Sequence, residues 1–149
     1  MDRQNCLTMT DSTLTDEDFG RLLEAAKGAL ANAHSPYSGL RVGAALLAED
    51  GSVHAGCNVE SASYGLTICA ERGAVFRAVA DGARGFRAVV ITTDRDGALM
   101  PCGACRQVLH ELEPGLEVVV VGADGERVDT TIAALLPEAI GEADIKGEA

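Results

Sequence analysis

Two short packets of residues, well separated along the chain, constrain its folding more than anything else in it. They are Cys69-Ala70-Glu71-Arg72 and Pro101-Cys102-Gly103-Ala104-Cys105-Arg106. If their three thiols share one metal, the fold must carry both packets to a single point. A structural zinc is closed by four protein ligands, whereas a catalytic zinc takes three and keeps a fourth position for water. Cys69, Cys102 and Cys105 supply three, and no fourth ligand accompanies them. Glu71 is then better read as a base beside the metal. Alone, Cys102-x-x-Cys105 suits a redox pair or half of a structural site. Joined to Cys69-Ala-Glu, it points to a catalytic zinc.

The surrounding pattern says how the packets are carried. Residues 1–14 read as a flexible tail, with Met9 a second candidate start, and residues 15–149 as one domain. Thr15 followed by Asp16, Glu17 and Asp18 predicts a capped helix start. Phe19, Leu22, Leu23, Ala26, Leu30 and Ala33 lie on one face of that helix, which should stop near His34-Ser35-Pro36. Strands are expected over residues 40–48 and 53–59, joined by an Asp50-Gly51 turn. A loop over residues 61–66 leads to a buried helix over 68–80, capped by Thr67 and ended by Asp81-Gly82. A strand over 87–93, a polar loop over 94–100 and a helix over 102–112 follow, with Pro101 at that helix's start. Strands over 117–121 and 126–130 flank an Asp124-Gly125 turn. A short helix over 131–136 is halted by Pro137, and a polar tail ends the chain. The order implies an α/β fold, a three-layer α-β-α sandwich around a mixed five-stranded sheet.

Charge narrows the partner. With a formal net charge of −11, the chain has few basic residues to spare for phosphates. A small uncharged ligand is favoured over a nucleic acid. No apolar run reaches the roughly 18 residues of a membrane span. The polar N-terminal residues have no signal-peptide core, so a cytoplasmic protein is expected. Five cysteines, an odd number, suggest metal or buried thiols before a disulfide framework.

Both packets fall at predicted helix starts, whose partial positive charge favours thiolate over thiol. Three thiolates on Zn²⁺ leave a net charge of −1, which weakens the Lewis acid. Arg72 or Arg106 can offset this by donating hydrogen bonds to the sulfurs.

The order Cys-x-Glu followed by Pro-Cys-x-x-Cys is the pattern of the zinc nucleobase deaminases. Further segments fall in sequence with it: Ser35-Pro-Tyr-Ser38, Val42-Gly-Ala-Ala45, Gly56-Cys-Asn-Val-Glu60, Ala62-Ser-Tyr-Gly65, Gln107 after the second packet, and Leu135-Leu-Pro137. Together, over roughly residues 16–145, the chain resembles the small, homo-oligomeric zinc-dependent cytidine deaminases. The resemblance implies hydrolysis of cytidine and deoxycytidine to the uridines and ammonia in pyrimidine salvage. It also implies one zinc per subunit and a homotetramer. In that scheme Glu71 takes the proton of the attacking water and passes it to a ring nitrogen and then to the leaving amine. Asn58 and Glu60 hold the ribose 3′-hydroxyl, and the Ala70 backbone contacts the pyrimidine. An amide and a carboxylate together can donate to and accept from a sugar hydroxyl. Without the surrounding matches, Asn58 reads as a turn residue and Glu60 as a solvated charge.

Two departures bear on the pocket. The family usually has Phe where this chain has Leu40, and again where it has Ile140, the second ring coming from a neighbouring subunit. Tyr64 matches a family tyrosine near subunit contacts; it reads equally as a pocket, core or interface residue. These changes keep open a modified cytosine nucleoside, such as a blasticidin-type antibiotic, as the substrate. A zinc-binding interaction module is the non-enzymatic alternative, and Glu71 argues against it. Among the remaining candidates, Cys57 is expected as a small buried apolar residue and Cys6 as a free thiol of the tail. His34, His54 and His110 lack ligand spacing and are expected to be partly exposed.

Overall fold

The computed structural model describes residues 13–148; Cys6 and Met9 lie outside them. Helix α1 (Asp16–Leu30) begins as its sequence dictates, with the Thr15 hydroxyl accepting from the Asp18 N–H at 3.1 Å. It ends four residues short of His34, because Ala31 already closes the last turn. Strands β1 (Val42–Ala48) and β2 (Val53–Cys57) form an antiparallel hairpin around Gly51, whose φ of +84° suits a residue without a Cβ. A 3₁₀ turn (Tyr64–Leu66) precedes α2 (Ala70–Ala80), then come β3 (Phe86–Thr93), α3 (Gly103–Leu112), β4 (Glu117–Val121) and β5 (Arg127–Thr131). Two short helices, α4 (Ile132–Leu135) and α5 (Glu142–Lys146), close the described chain. The polar tail expected after Pro137 is therefore partly helical. Asp144 accepts from the Gly141 N–H and starts α5, a local bond that hydrophobic patterning does not register.

The strands order β2-β1-β3-β4-β5, with β3 and β4 parallel across α3 and every other pair antiparallel, so β2 and β5 are the edges. Alternation along the central strands divides the core into two faces. Ala44, Leu46, Val89, Ile91, Val118 and Val120 pack with α2, α3 and α4; Ala45, Leu47, Ala88, Val90 and Val119 pack under Leu22 and Ala26 of α1. Both faces are covered, which gives the α-β-α sandwich expected from the element order.

Helix α2 sits unusually close to the sheet. Ala70, Ala74 and Ala78 form a buried small-residue stripe along it, and Gly56 of β2 lies beneath. A Cβ on Gly56 would stand 2.3 Å from the Ala74 nitrogen and 2.7 Å from the Ala70 oxygen. Only glycine permits that approach, and it fixes the height of the α2 N-terminus over the sheet.

His54 departs from expectation. It is buried, its Nδ1 3.0 Å from Asp81 Oδ2 and its Nε2 2.9 Å from Ser52 Oγ. The hairpin turn folds against the end of α2, so a residue that looks exposed on a hairpin is enclosed. Cys57, expected to be buried, is half-buried, as is His110, while His34 is exposed.

Candidate active site

The two cysteine packets meet. Cys69 is the N-cap of α2 and Cys102 the N-cap of α3, each with extended backbone, so both stand one position before the helical turn in which they were expected. Neither thiol caps the backbone N–H groups of its own helix, which leaves the sulfurs to side-chain partners. Cys105 follows within the first turn of α3 and is fully buried. Thr67, expected to cap α2, instead accepts from the Ser61 N–H at 3.1 Å and braces the approach loop.

The Cys69 and Cys102 sulfurs lie 3.7 Å apart, and all three sulfurs fall within 4.8 Å of one another. Zinc–sulfur bonds of about 2.3 Å in a tetrahedron place sulfurs about 3.8 Å apart, so the donor set fits zinc. Among the described residues Glu71 is not one of the clustered ligand atoms, so three protein ligands would hold the metal, the number that suits a catalytic zinc.

Crowding splits the proton affinities of the sulfurs. Cys69 falls to about 5, chiefly because it accepts a hydrogen bond from Cys105 and also from Arg72. Cys105, the donor in that bond and buried besides, is pushed strongly up. Arg72 Nη2 donates to Cys69 Sγ at 3.3 Å, and the sulfur's charge in turn holds the guanidinium protonated. Arg106 does not share this task. Its Nε and Nη1 donate to the Pro101 and Leu135 carbonyls at 2.8 and 3.0 Å, tying the start of α3 to the end of α4. Two bare carbonyls within reach outcompete the sulfurs for its planar fork.

Glu71 follows Cys69 by two residues and is 5% exposed. Burial raises its carboxyl above the usual range, and negative charge on Cys69 adds to the rise. It opens on a cavity of about 290 Å³ that it shares with Cys69, Ala70 and Cys102. Asn58, Glu60 and Leu40 line the same cavity. The buried Asn58 amide accepts from the Val42 N–H and donates to the Leu40 carbonyl, both at 2.8 Å. Glu60 accepts from the Ser38 hydroxyl and from the N–H groups of Tyr37 and Ser38, at 2.9 and 3.2 Å for the latter two. These bonds, the Ser38 hydroxyl foremost, hold its carboxyl below the usual range.

Tyr64 and Ile140 do not join this cavity. Tyr64 is 76% exposed, edge-on to Tyr37 at 6.0 Å, in a neighbouring hollow that also touches Glu60. Ile140 lies at the surface beside Ile145 of α5. Conversely, Leu99 and Met100 line the cavity although the sequence marks them only as the end of a polar loop. Their signal was the apolar run before Pro101, since Ala98 and Met100 pack on the core.

The family model for the cytidine and deoxycytidylate deaminase zinc-binding region matches residues 16–123. The chain belongs to that family. Its match takes in all three cysteines, Glu71, Asn58 and Glu60. A cytidine deaminase of Sporosarcina psychrophila is 46% identical over 129 residues, covering 86% of this chain and 95% of the relative. One from Mycobacterium tuberculosis is 41% identical, covering 91% and 98%. Among solved structures, the cytidine deaminase of Burkholderia pseudomallei superposes with a TM-score of 0.78 at 50% identity, covering 81% of this chain and 98% of that one. The zinc-binding region of the family and the three-sulfur cluster of this chain agree on one zinc per subunit.

Proposed function

We propose that this chain hydrolyses cytidine and deoxycytidine to the corresponding uridines and ammonia. The observation that carries the reading is the buried Glu71 carboxylate opening onto the same cavity as Cys69 and Cys102. A zinc held by the three cysteines supplies Lewis acidity and lowers the pKa of water towards about 7. Glu71 accepts a proton from the attacking water and passes it to N3 of the pyrimidine, then to the departing amine. Oxygen joins C4, the C4–N bond breaks, and the nitrogen leaves as ammonia. The raised proton affinity of Glu71 suits a group that must both take and return a proton.

Asn58 keeps one N–H and one lone pair beyond its two backbone bonds. With Glu60 it is placed to hold a sugar hydroxyl, while the Ala70 backbone meets the base and Leu40 gives the pocket an aliphatic wall. The reading extends to a single catalytic domain over residues 15–149, a homotetramer and a cytoplasmic location. Exposed Tyr64 and Ile140 support the assembly as surfaces a neighbour can cover. Among the described residues no helix is long and apolar enough to cross a membrane.

Zinc analysis alongside ammonia release from cytidine tests the function. About one zinc per chain with steady ammonia release supports it, and a zinc-loaded protein inert towards cytidine and deoxycytidine overturns it.

A further inference from the structure

Resting on the deaminase reading, we propose that Met100, with Leu99 beside it, forms the wall against the C5 edge of the pyrimidine and sets how large a C5 substituent this pocket admits. Residues from 38–42 and 58–60, with Thr67, line the far part of the cavity, and two segments build its thiol end. The start of α2 brings Cys69, Ala70 and Glu71; the connection from β3 to α3 brings Leu99, Met100 and Cys102. They converge where the Cys69 and Cys102 sulfurs stand 3.7 Å apart. The reacting C4 belongs at that convergence, and N3 and C5 flank it on opposite sides of the ring. Glu71 must reach N3, so C5 turns towards the other segment.

From Gly97 to Pro101 that segment reads Gly-Ala-Leu-Met-Pro and carries no hydrogen-bonding side chain. Leu99 is 43% exposed at the cavity rim, while Met100 is half-buried and rests on the core cluster. An apolar wall facing C5 favours hydrogen or a small alkyl group there over a polar one. Methionine is unbranched and shifts its thioether among several rotamers, so it can yield to a methyl group where a β-branched side chain of similar size cannot. The substrate class implied is cytosine nucleosides bearing a small apolar C5 substituent. Water again replaces the C4 amine, giving the C5-substituted uridine and ammonia.

The test is the ratio of kcat/KM for 5-methylcytidine to that for cytidine in the parent, Met100→Ile and Met100→Ala. A single methylene in an apolar pocket is worth about 10–200-fold. The ratio is expected to fall about tenfold or more in Met100→Ile and to rise in Met100→Ala. Dissociation constants of both nucleosides for Glu71→Gln, with and without Met100→Ile, should show the same split without turnover. Equal ratios in all three proteins, with cytidine still deaminated by the parent, overturn the role of Met100. A parent that releases no ammonia from cytidine overturns the functional reading beneath it.

Discussion

The two ends of α2 are built to opposite ends. At the C-terminal end, Asp81 meets His54, His54 meets Ser52, and Ser52 Oγ stands 2.6 Å from Asp50 Oδ1. Every polar side chain in that chain of bonds has a partner. At the N-terminal end, Arg72 Nε is buried with no hydrogen-bond partner, and Glu71 is enclosed with its carboxyl raised. One helix thus ends in a finished latch and begins in an unfinished site. An unpaired polar atom is costly in a folded interior, so Arg72 Nε, orphaned beside three clustered thiols, marks where a metal and a substrate complete the structure.

Substitutions at the two ends should therefore separate chemistry from stability. The largest effect is expected at Cys102→Ala. Metal analysis should find most zinc gone, and melting should occur at lower temperature, because metal binding and folding are coupled; full zinc retention removes Cys102 from the ligand set. Next, Glu71→Gln should keep zinc and fold while turnover falls about 10²–10⁴-fold, the usual worth of a general acid–base step. Turnover within a few-fold of the parent makes Glu71 structural. Arg72→Gln removes the donor to Cys69 and should weaken zinc about 10–100-fold, read by chelator competition; an unchanged affinity denies the sulfur–guanidinium bond any part in holding metal. The smallest effect on activity belongs to the other end. His54→Ala should cost about 1–3 kcal/mol in denaturant melting, with kcat/KM close to that of the parent. A large loss of kcat/KM there would join the two ends functionally and break the contrast.

Much of this was legible from the chain. The Thr15 cap, the Asp50-Gly51 and Asp124-Gly125 turns and the five strands rest on local chemistry. The site was legible because three thiols and a carboxylate are rare in so tight a pattern. What escaped depends on contacts between distant segments. Cysteine has little capping preference, so Cys69 and Cys102 were placed inside helices that begin one residue later. Arg72 and Arg106 both lie in the first turn after a cysteine N-cap, yet only Arg72 reaches sulfur, because the Pro101 and Leu135 carbonyls take the donors of the other. His54 was enclosed by the end of a helix far along the chain. Leu99 and Met100 became pocket walls only when β3 delivered their loop beside α2.

The edge strand β5 has a consequence for how this protein keeps company with itself at high concentration. An open strand edge offers unpaired N–H and C=O groups to any passing chain. On β5, Arg127 grips Asp129 through two bonds of 2.8 and 2.7 Å, and its guanidinium lies 4.0 Å over the Phe19 ring. A charged pair pinned to an aromatic lid makes that edge a poor template for further strands, so growth into ribbons is discouraged by the same residues that fasten β5 to α1.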